Sequence, residues 1–208
     1  MPRIKGPYPS VRNGGTVSYG GNQGWFSDAN FRACGCGIVA GADVLLYLSG
    51  RRELTQEEYF QFVASLRRYF PLIPRRGIDG LRLAIGLNAC FRRFDLPCRC
   101  GWSLSGARFW NRLEHMLSDD LPAITAVGPN FPRFWGTEQL TLYRRTREGD
   151  YAASESTNGH FLTVTGLEGE WMEVSSWGRR LFLRRGDYDA YMRKNGPLFT
   201  NLLYMERL

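Results

Sequence analysis

The chain has 208 residues, enough to bury one well-packed core. With 43% hydrophobic and 14% aromatic residues, its composition excludes an intrinsically disordered protein. The net charge of +7 comes mostly from arginine doublets spread along the chain. Aromatic residues do not alternate with these doublets as they do in single-strand grooves, so we expect no nucleic-acid partner. Arginine also pairs well with carboxylates, which leaves an acidic peptide substrate open.

The chain begins without an apolar run in Met1 to Pro7, and we therefore expect no signal peptide. The longest apolar stretch, residues 38–48, contains Asp43 and is too short to cross a bilayer. These features predict a cytoplasmic protein with no membrane segment. The cysteines number five, and without a secretory signal an odd number indicates free thiols rather than disulfides.

Helical patterns dominate the first 120 residues. Residues 1–30 are rich in Gly, Ser and Asn and predict an extended or looped lead-in. Residues 36–48 are apolar nearly all round, which is typical of a buried helix. Three further helices are predicted by a capping box at Thr55–Glu58, by Asp79 as an N-cap and by apolar spacing after Ser105.

Strand patterns dominate after residue 120. Short buried or alternating apolar runs predict strands at 123–127, 140–145, 160–167, 171–177, 180–184 and 198–205. Helices followed by strands predict an α+β fold, with an N-terminal helical layer packed on a C-terminal antiparallel sheet. No linker separates independent units, so we predict one domain over 1–208, with a helical part to 120 and a β part from 121.

A thiol stands at the start of the buried helix. Cys36 opens it, and a helix N-terminus favours both a thiolate and an oxyanion beside it. Gly35 and Gly37 are expected to leave the backbone open to a substrate carbonyl. Cys34 competes for the role of nucleophile but lies two residues further from the helix. Considered by itself, each cysteine also fits a purely structural role as a small buried side chain.

One of the two histidines, His160, opens a predicted strand after a polar loop, where it would face a cleft. The other, His115, lies on an amphipathic helix and is expected to be solvated or packed. With a two-residue turn at Glu168–Gly169, Ser175 falls diagonal to His160 on one face, and Trp177 shields their contact from water. A different loop length would place Ser176 on that face instead.

Other chemistries fit the sequence less well. Gly35 to Ala40 matches a dinucleotide fingerprint, but no buried strand precedes it. The pairs Cys34/Cys36 and Cys98/Cys100 form two C-x-C motifs, a tighter spacing than zinc sites use. We therefore predict no metal, although a four-thiolate zinc protein stays an alternative.

The segments Cys36–Gly37, Gly159–Gly166 and Ser176–Gly178 resemble the papain-like cysteine peptidase superfamily, particularly compact bacterial members such as the peptidases that cut double-glycine leader peptides. The resemblance implies a helical part carrying the Cys and a β part carrying the His. That family has Asn or Asp where this chain has Ser175. It has Gln about six residues before its Cys, where this chain has Asn30, while Gln23 lies further back.

Together these features predict a cysteine hydrolase, most simply a peptidase acting on a peptide or protein without a cofactor. Cys36 would be the nucleophile and His160 the base, with Ser175 orienting the imidazole. Asn30, or alternatively Gln23, would bind the oxyanion. An acyltransferase or deamidase would use the same residues, and a catalytically inactive binding module would keep only the fold. The sequence leaves the oligomeric state open.

Overall fold

The computed structural model describes residues 1–104, 106, 108–128, 139–196 and 200–208. It contains helices and a large antiparallel sheet, which confirms the α+β class. The predicted starts of a helix at Ser105 and of a strand at 198 fall outside the described residues. Within the described ranges, no helix has both the length and the apolar character needed to cross a bilayer.

The helices are α1 (Ala29–Cys34), α2 (Cys36–Leu48), α3 (Gln56–Leu66), α4 (Gly80–Arg93), α5 (Phe109–Ser118) and α6 (Arg185–Asn195), with a 3-10 turn at Gln23–Trp25. The strands are β1 (Ser10–Asn13), β2 (Thr16–Val17), β3 (Glu53–Thr55), β4 (Cys98–Leu104), β5 (Ala123–Val127), β6 (Leu140–Arg145), β7 (Tyr151–Thr157), β8 (His160–Glu168), β9 (Trp171–Ser176), β10 (Arg179–Arg184) and β11 (Asn201–Arg207).

Two helix starts follow the predicted capping. The Thr55 side chain accepts a hydrogen bond from the Glu58 backbone, and the Glu58 carboxylate accepts from the Thr55 backbone N–H at 2.7 Å. Asp79 caps α4 by accepting from the backbone of Arg82 at 2.9 Å. Both predictions are confirmed because a cap depends only on residues within one helical turn.

Helix α2 is buried along most of its length, from Gly37 to Tyr47, as its apolar character predicts. It packs on β8 and on α4, so that one side faces the sheet and another faces the helical layer. The sole charged residue in this helix, Asp43, is 2% exposed. The N-terminus of α2 therefore lies between the helical layer and the strand that begins at His160.

The eight-stranded sheet has the order β4-β11-β5-β8-β9-β10-β6-β7, and each adjacent pair is antiparallel. Strand β8 is therefore central, with β5 on one side and β9 on the other. Strand β4 departs from the division at residue 120, because it belongs to this sheet and pairs along its whole length with β11. Its cross-strand partners lie about a hundred residues away, which no local pattern reveals.

The lead-in is more ordered than its composition predicts. Strands β1 and β2 pair with each other, and β1 also pairs in parallel with β3 to complete a small sheet. The chain before them crosses β8, where the backbone N–H of Ile4 donates to Thr165 at 3.0 Å. Polar and glycine-rich residues therefore form strands here because the body of the protein supplies their partners.

Candidate active site

Cys36 is the first residue of α2, and the glycine before it caps the helix without a side chain. The backbone N–H groups of Phe161 and Gly37 lie near enough to its sulfur to lower the pKa of the thiol, although burial raises it by more. Phe161 follows His160 in β8, so the sulfur lies at the contact between the helical layer and the sheet. The side chain is only partly buried, and it reaches a groove on one side and a small cavity on the other.

The two glycines beside Cys36 serve packing rather than substrate access, which corrects the sequence prediction. A Cβ at Gly35 would lie 2.6 Å from the carbonyl oxygen of Phe31. A Cβ at Gly37 would lie 2.6 Å from a methyl group of Ile78 and 3.2 Å from the Phe161 ring. Real Cβ contacts are not this short, so the close approach of α2 to its neighbours requires glycine at both positions.

His160 is held on two sides. Its Nε2 atom is 2.8 Å from the Oγ of Ser176, a hydrogen bond whose donor depends on the imidazole tautomer. Its ring stacks on Trp177, with the centroids 4.4 Å apart and the planes inclined by 19°. The side chain is 8% exposed. A buried imidazole with one nitrogen engaged and one face covered has a fixed orientation.

The contact predicted for Ser175 is made by Ser176, and a β-bulge explains the correction. The tight turn lies at Gly169–Glu170, one residue later than predicted, because Glu168 pairs with Trp171. That displacement alone would keep Ser175 on the His160 face. The register then shifts between Val164 and Gly166, which changes the face that each later β9 residue presents. Ser175 still lines the cavity beside His160, but its hydroxyl donates to the carbonyl of Tyr19 at 2.8 Å.

Trp177 forms the turn between β9 and β10 together with Gly178. Their φ angles are 50° and 73°, and two positive values in succession are typical of a type I′ hairpin turn. Glycine accepts this conformation, but a tryptophan there costs about 1–2 kcal/mol. The indole stacked on His160 is thus held in an unfavourable backbone conformation, which is a common feature of functional sites.

Cys36 and His160 both line the small cavity, which we call the Cys–His cavity. Besides these two residues, its lining includes Gln23, Asp43, Ser175 and Ser176. Its free volume of about 10 Å³ is about the smallest that can hold one water molecule. The structure therefore places the predicted nucleophile and base in the wall of one cavity, from positions far apart in the chain.

The two candidate oxyanion donors lie in different places. Gln23 is 9% exposed and lines the Cys–His cavity, with its amide nitrogen donating to the carbonyl of Arg32 at 2.8 Å. Asn30 is not among the residues that line the cavity, and its Oδ1 atom accepts from the backbone N–H of Arg75 at 3.0 Å. Helix α1 lies between Gln23 and Cys36 in the chain. Gln23 is therefore further from the cysteine in sequence than the spacing of about six residues that the family motif has.

Asp43 is a residue of the site that the sequence reasoning did not select. Its carboxylate accepts from the Gly21 backbone at 3.0 and 3.1 Å, and from the hydroxyls of Tyr59 at 2.9 Å and Tyr8 at 3.3 Å. These bonds tie the chain just before Gln23 to α2. Despite them, burial raises the pKa of Asp43 to about 7. The sequence does contain a signal for Asp43, because it is a single acidic residue within an otherwise apolar helix.

Burial also determines the charge states of Cys36 and His160. It raises the pKa of the Cys36 thiol to about 11, against the lowering effect of the Phe161 and Gly37 backbone N–H groups. It lowers the pKa of His160 to about 3. In the free protein, burial therefore opposes the expected thiolate and favours a neutral thiol beside a neutral imidazole.

The groove on the other side of Cys36, which we call the Cys36 groove, has a volume of about 230 Å³. Its lining includes Cys34, Arg75, Arg76 and Asn158 as well as Cys36. Cys34 thus faces the groove but does not line the Cys–His cavity. The structure gives the two thiols different surroundings, and His160 lies in those of Cys36.

The remaining candidate residues lie elsewhere. Cys98 and Cys100 are buried on β4, whereas Cys34 and Cys36 face the groove. Across the described part of the chain, no three His, Cys, Asp or Glu side chains are grouped as metal ligands. His115 is exposed on α5 and lies 3.2 Å from Asp119.

Comparison with known proteins adds no assignment, because the chain matches no protein-family model, no curated protein and no solved structure. The functional argument therefore depends on the geometry of the Cys–His cavity alone.

Proposed function

We propose that this protein is a cysteine hydrolase with a papain-like fold, most simply a peptidase similar to those that cut double-glycine leader peptides. One observation carries the proposal: Cys36, at the start of a buried helix, and His160, at the start of a strand, line the same small cavity. Ser176 forms a hydrogen bond with the imidazole, and Trp177 stacks on it. A helical part with the thiol and a sheet with the imidazole agree with the proposed fold.

In the proposed reaction, proton transfer accompanies attack because the resting pair is neutral. Since Nε2 is engaged by Ser176, Nδ1 of His160 takes the thiol proton while the Cys36 sulfur forms a bond to the substrate carbonyl carbon. The carbonyl electron pair moves onto oxygen. In this tautomer Nε2 carries the other ring hydrogen and donates a hydrogen bond to the Oγ of Ser176. That hydrogen bond stabilises the imidazolium that forms.

The oxyanion would receive hydrogen bonds from the Gln23 amide and from the backbone N–H of Cys36. We assign this role to Gln23 instead of Asn30 because Gln23 lines the Cys–His cavity. Collapse of the intermediate breaks the carbon–nitrogen bond, with the imidazolium proton going to the leaving amine. Water then attacks the resulting thioester, His160 takes its proton, and the thiol is released.

A catalytically inactive binding module is the second candidate, and the charge states favour it. A thiol with a pKa of about 11 beside an imidazole with a pKa of about 3 is a weak nucleophile with a weak base. Substrate binding would have to lower the energy of the charge-separated state for the hydrolase to work. An acyltransferase or deamidase would share the acylation step and differ only in the acceptor.

The test is covalent acylation of Cys36 by N-acetylglycine p-nitrophenyl ester, followed by nitrophenolate release and by peptide mass spectrometry. A hydrolase shows a burst of about one equivalent with the acyl group on Cys36, and His160→Ala slows acylation at least about 100-fold. Cys34→Ala is the matched control and keeps the burst, whereas Cys36→Ala loses it. If folded Cys36 reacts no faster than in the unfolded chain, and His160→Ala changes nothing, the binding module is the correct alternative.

A further inference from the structure

Two arginines line the groove through which a substrate would reach Cys36. Arg75 and Arg76 belong to the segment between α3 and α4, and both line the Cys36 groove. None of the described residues in that lining is Asp or Glu. The described wall of the Cys36 groove therefore contains two basic residues and no acidic one.

The backbone that carries these arginines is strained and firmly held. Arg75 has a φ angle of 62°, a left-handed conformation that costs a side-chain-bearing residue about 1–2 kcal/mol. The Asn30 side chain accepts from the Arg75 N–H at 3.0 Å, and Ile73 and Gly77 exchange backbone hydrogen bonds of 2.8 and 2.9 Å across the turn. Strain that is held in this way at the wall of a candidate site indicates a functional position.

Arg75 is exposed and forms no ion pair with any residue that the structure describes. A guanidinium presents donors in a planar fork that matches a carboxylate, and such paired hydrogen bonds are stronger than neutral ones. We propose that the Cys36 groove binds a substrate carboxylate next to the bond that is cut, with Arg75 as its main partner and Arg76 adding charge. This inference rests on the proposed hydrolase function, because it specifies the substrate for that site.

The experiment compares two reagents that differ only in this charge. Iodoacetate carries a carboxylate and iodoacetamide an amide, and both alkylate Cys36 by the same displacement of iodide. We measure the ratio of their rates at Cys36 by peptide mass spectrometry at pH 9, and divide it by the ratio in the urea-unfolded chain. Because both reagents react with the same thiolate, the ionised fraction of Cys36 cancels in this ratio. Any catalytic acceleration that both reagents share cancels as well.

We expect the folded protein to prefer iodoacetate about five-fold over the unfolded reference, with the preference falling as salt rises. Arg75→Gln/Arg76→Gln abolishes it, whereas Arg92→Gln/Arg93→Gln, which removes two charges at the end of α4, leaves it unchanged. Arg75→Gly removes the guanidinium where glycine adopts the backbone without strain, so loss of preference there does not reflect misfolding. Equal normalised ratios in wild type and in Arg75→Gln/Arg76→Gln would overturn the inference.

The carboxylate could belong to an acidic side chain or to a chain end, and protection of Cys36 from iodoacetamide distinguishes them. Preferential protection by Ac-Ala-Glu-NH2 over Ac-Ala-Gln-NH2 identifies a side chain. Preferential protection by Ac-Ala-Ala-OH over Ac-Ala-Ala-NH2 identifies a terminus. No charge preference in either pair contradicts the subsite. Because alkylation needs no turnover, a charge preference without acylation by the nitrophenyl ester would retain the subsite and reject the hydrolase.

Discussion

Asp43 and His160 make opposite contributions to the pH dependence of stability. Burial raises the pKa of Asp43 from its ordinary value of 3.8 to about 7. The folded state therefore holds the Asp43 proton more tightly, and this stabilisation is complete below about pH 4 and lost as the pH rises towards 7. Burial lowers the pKa of His160 from its ordinary value of 6.5 to about 3. Its contribution is complete above about pH 6.5 and lost as the pH falls towards 3.

Between about pH 4 and 6.5 both groups act at once, each with a slope of about 1.4 kcal/mol per pH unit and with opposite sign. Their effects on the free energy of unfolding cancel in the wild type over this interval. Asp43→Asn removes the falling slope, so stability should rise with pH by about 3 kcal/mol more than in the wild type. His160→Gln removes the rising slope and should give a difference of the same size and opposite sign.

The measurement is urea unfolding followed by tryptophan fluorescence at several pH values from 4 to 6.5, with the slope m checked for constancy. The two substitutions keep similar side-chain volumes, and the double variant should return to the wild-type pH dependence. If both single variants follow the wild-type profile, neither group has a shifted pKa in the folded protein. The neutral thiol–imidazole pair would then be wrong as well.

Two further substitutions examine the support of His160. Ser176→Ala leaves the Nε2 atom of His160 buried without its 2.8 Å partner. We therefore expect a loss of about 1–3 kcal/mol in the free energy of unfolding and about ten-fold slower acylation of Cys36. The neighbouring Ser175→Ala, which removes a hydrogen bond to Tyr19 instead, should lose about 1 kcal/mol and keep the acylation rate. Equal acylation rates would show that Ser176 does not orient the imidazole. Trp177→Gly uncovers the ring and relieves the positive φ, so the pKa of His160 should rise from about 3 towards 6.5 in a proton NMR titration. An unchanged titration of His160 would show that the indole does not exclude water from it.

Features that depend on nearby residues could be predicted from the sequence. The capping box at Thr55 and the N-cap at Asp79 are confirmed because each involves a single helical turn. The buried helix that begins at Cys36 and the strand that begins at His160 are also confirmed, since an apolar run or an alternating pattern reports burial directly. The order of helices and strands then gives the α+β class.

The sequence by itself thus determined which residue types begin which elements, and from this the candidate thiol and imidazole. Only the tertiary structure decided what surrounds them. The extra residue of the β-bulge in β8 places Ser176, and not Ser175, in hydrogen-bonding contact with His160. Packing of the lead-in brings Gln23 to the Cys–His cavity, whereas Asn30 accepts a hydrogen bond from the backbone of Arg75. The physical reason is that register, burial and the resulting pKa values depend on partners far away in the chain, whereas propensity and capping depend on neighbours within a few residues.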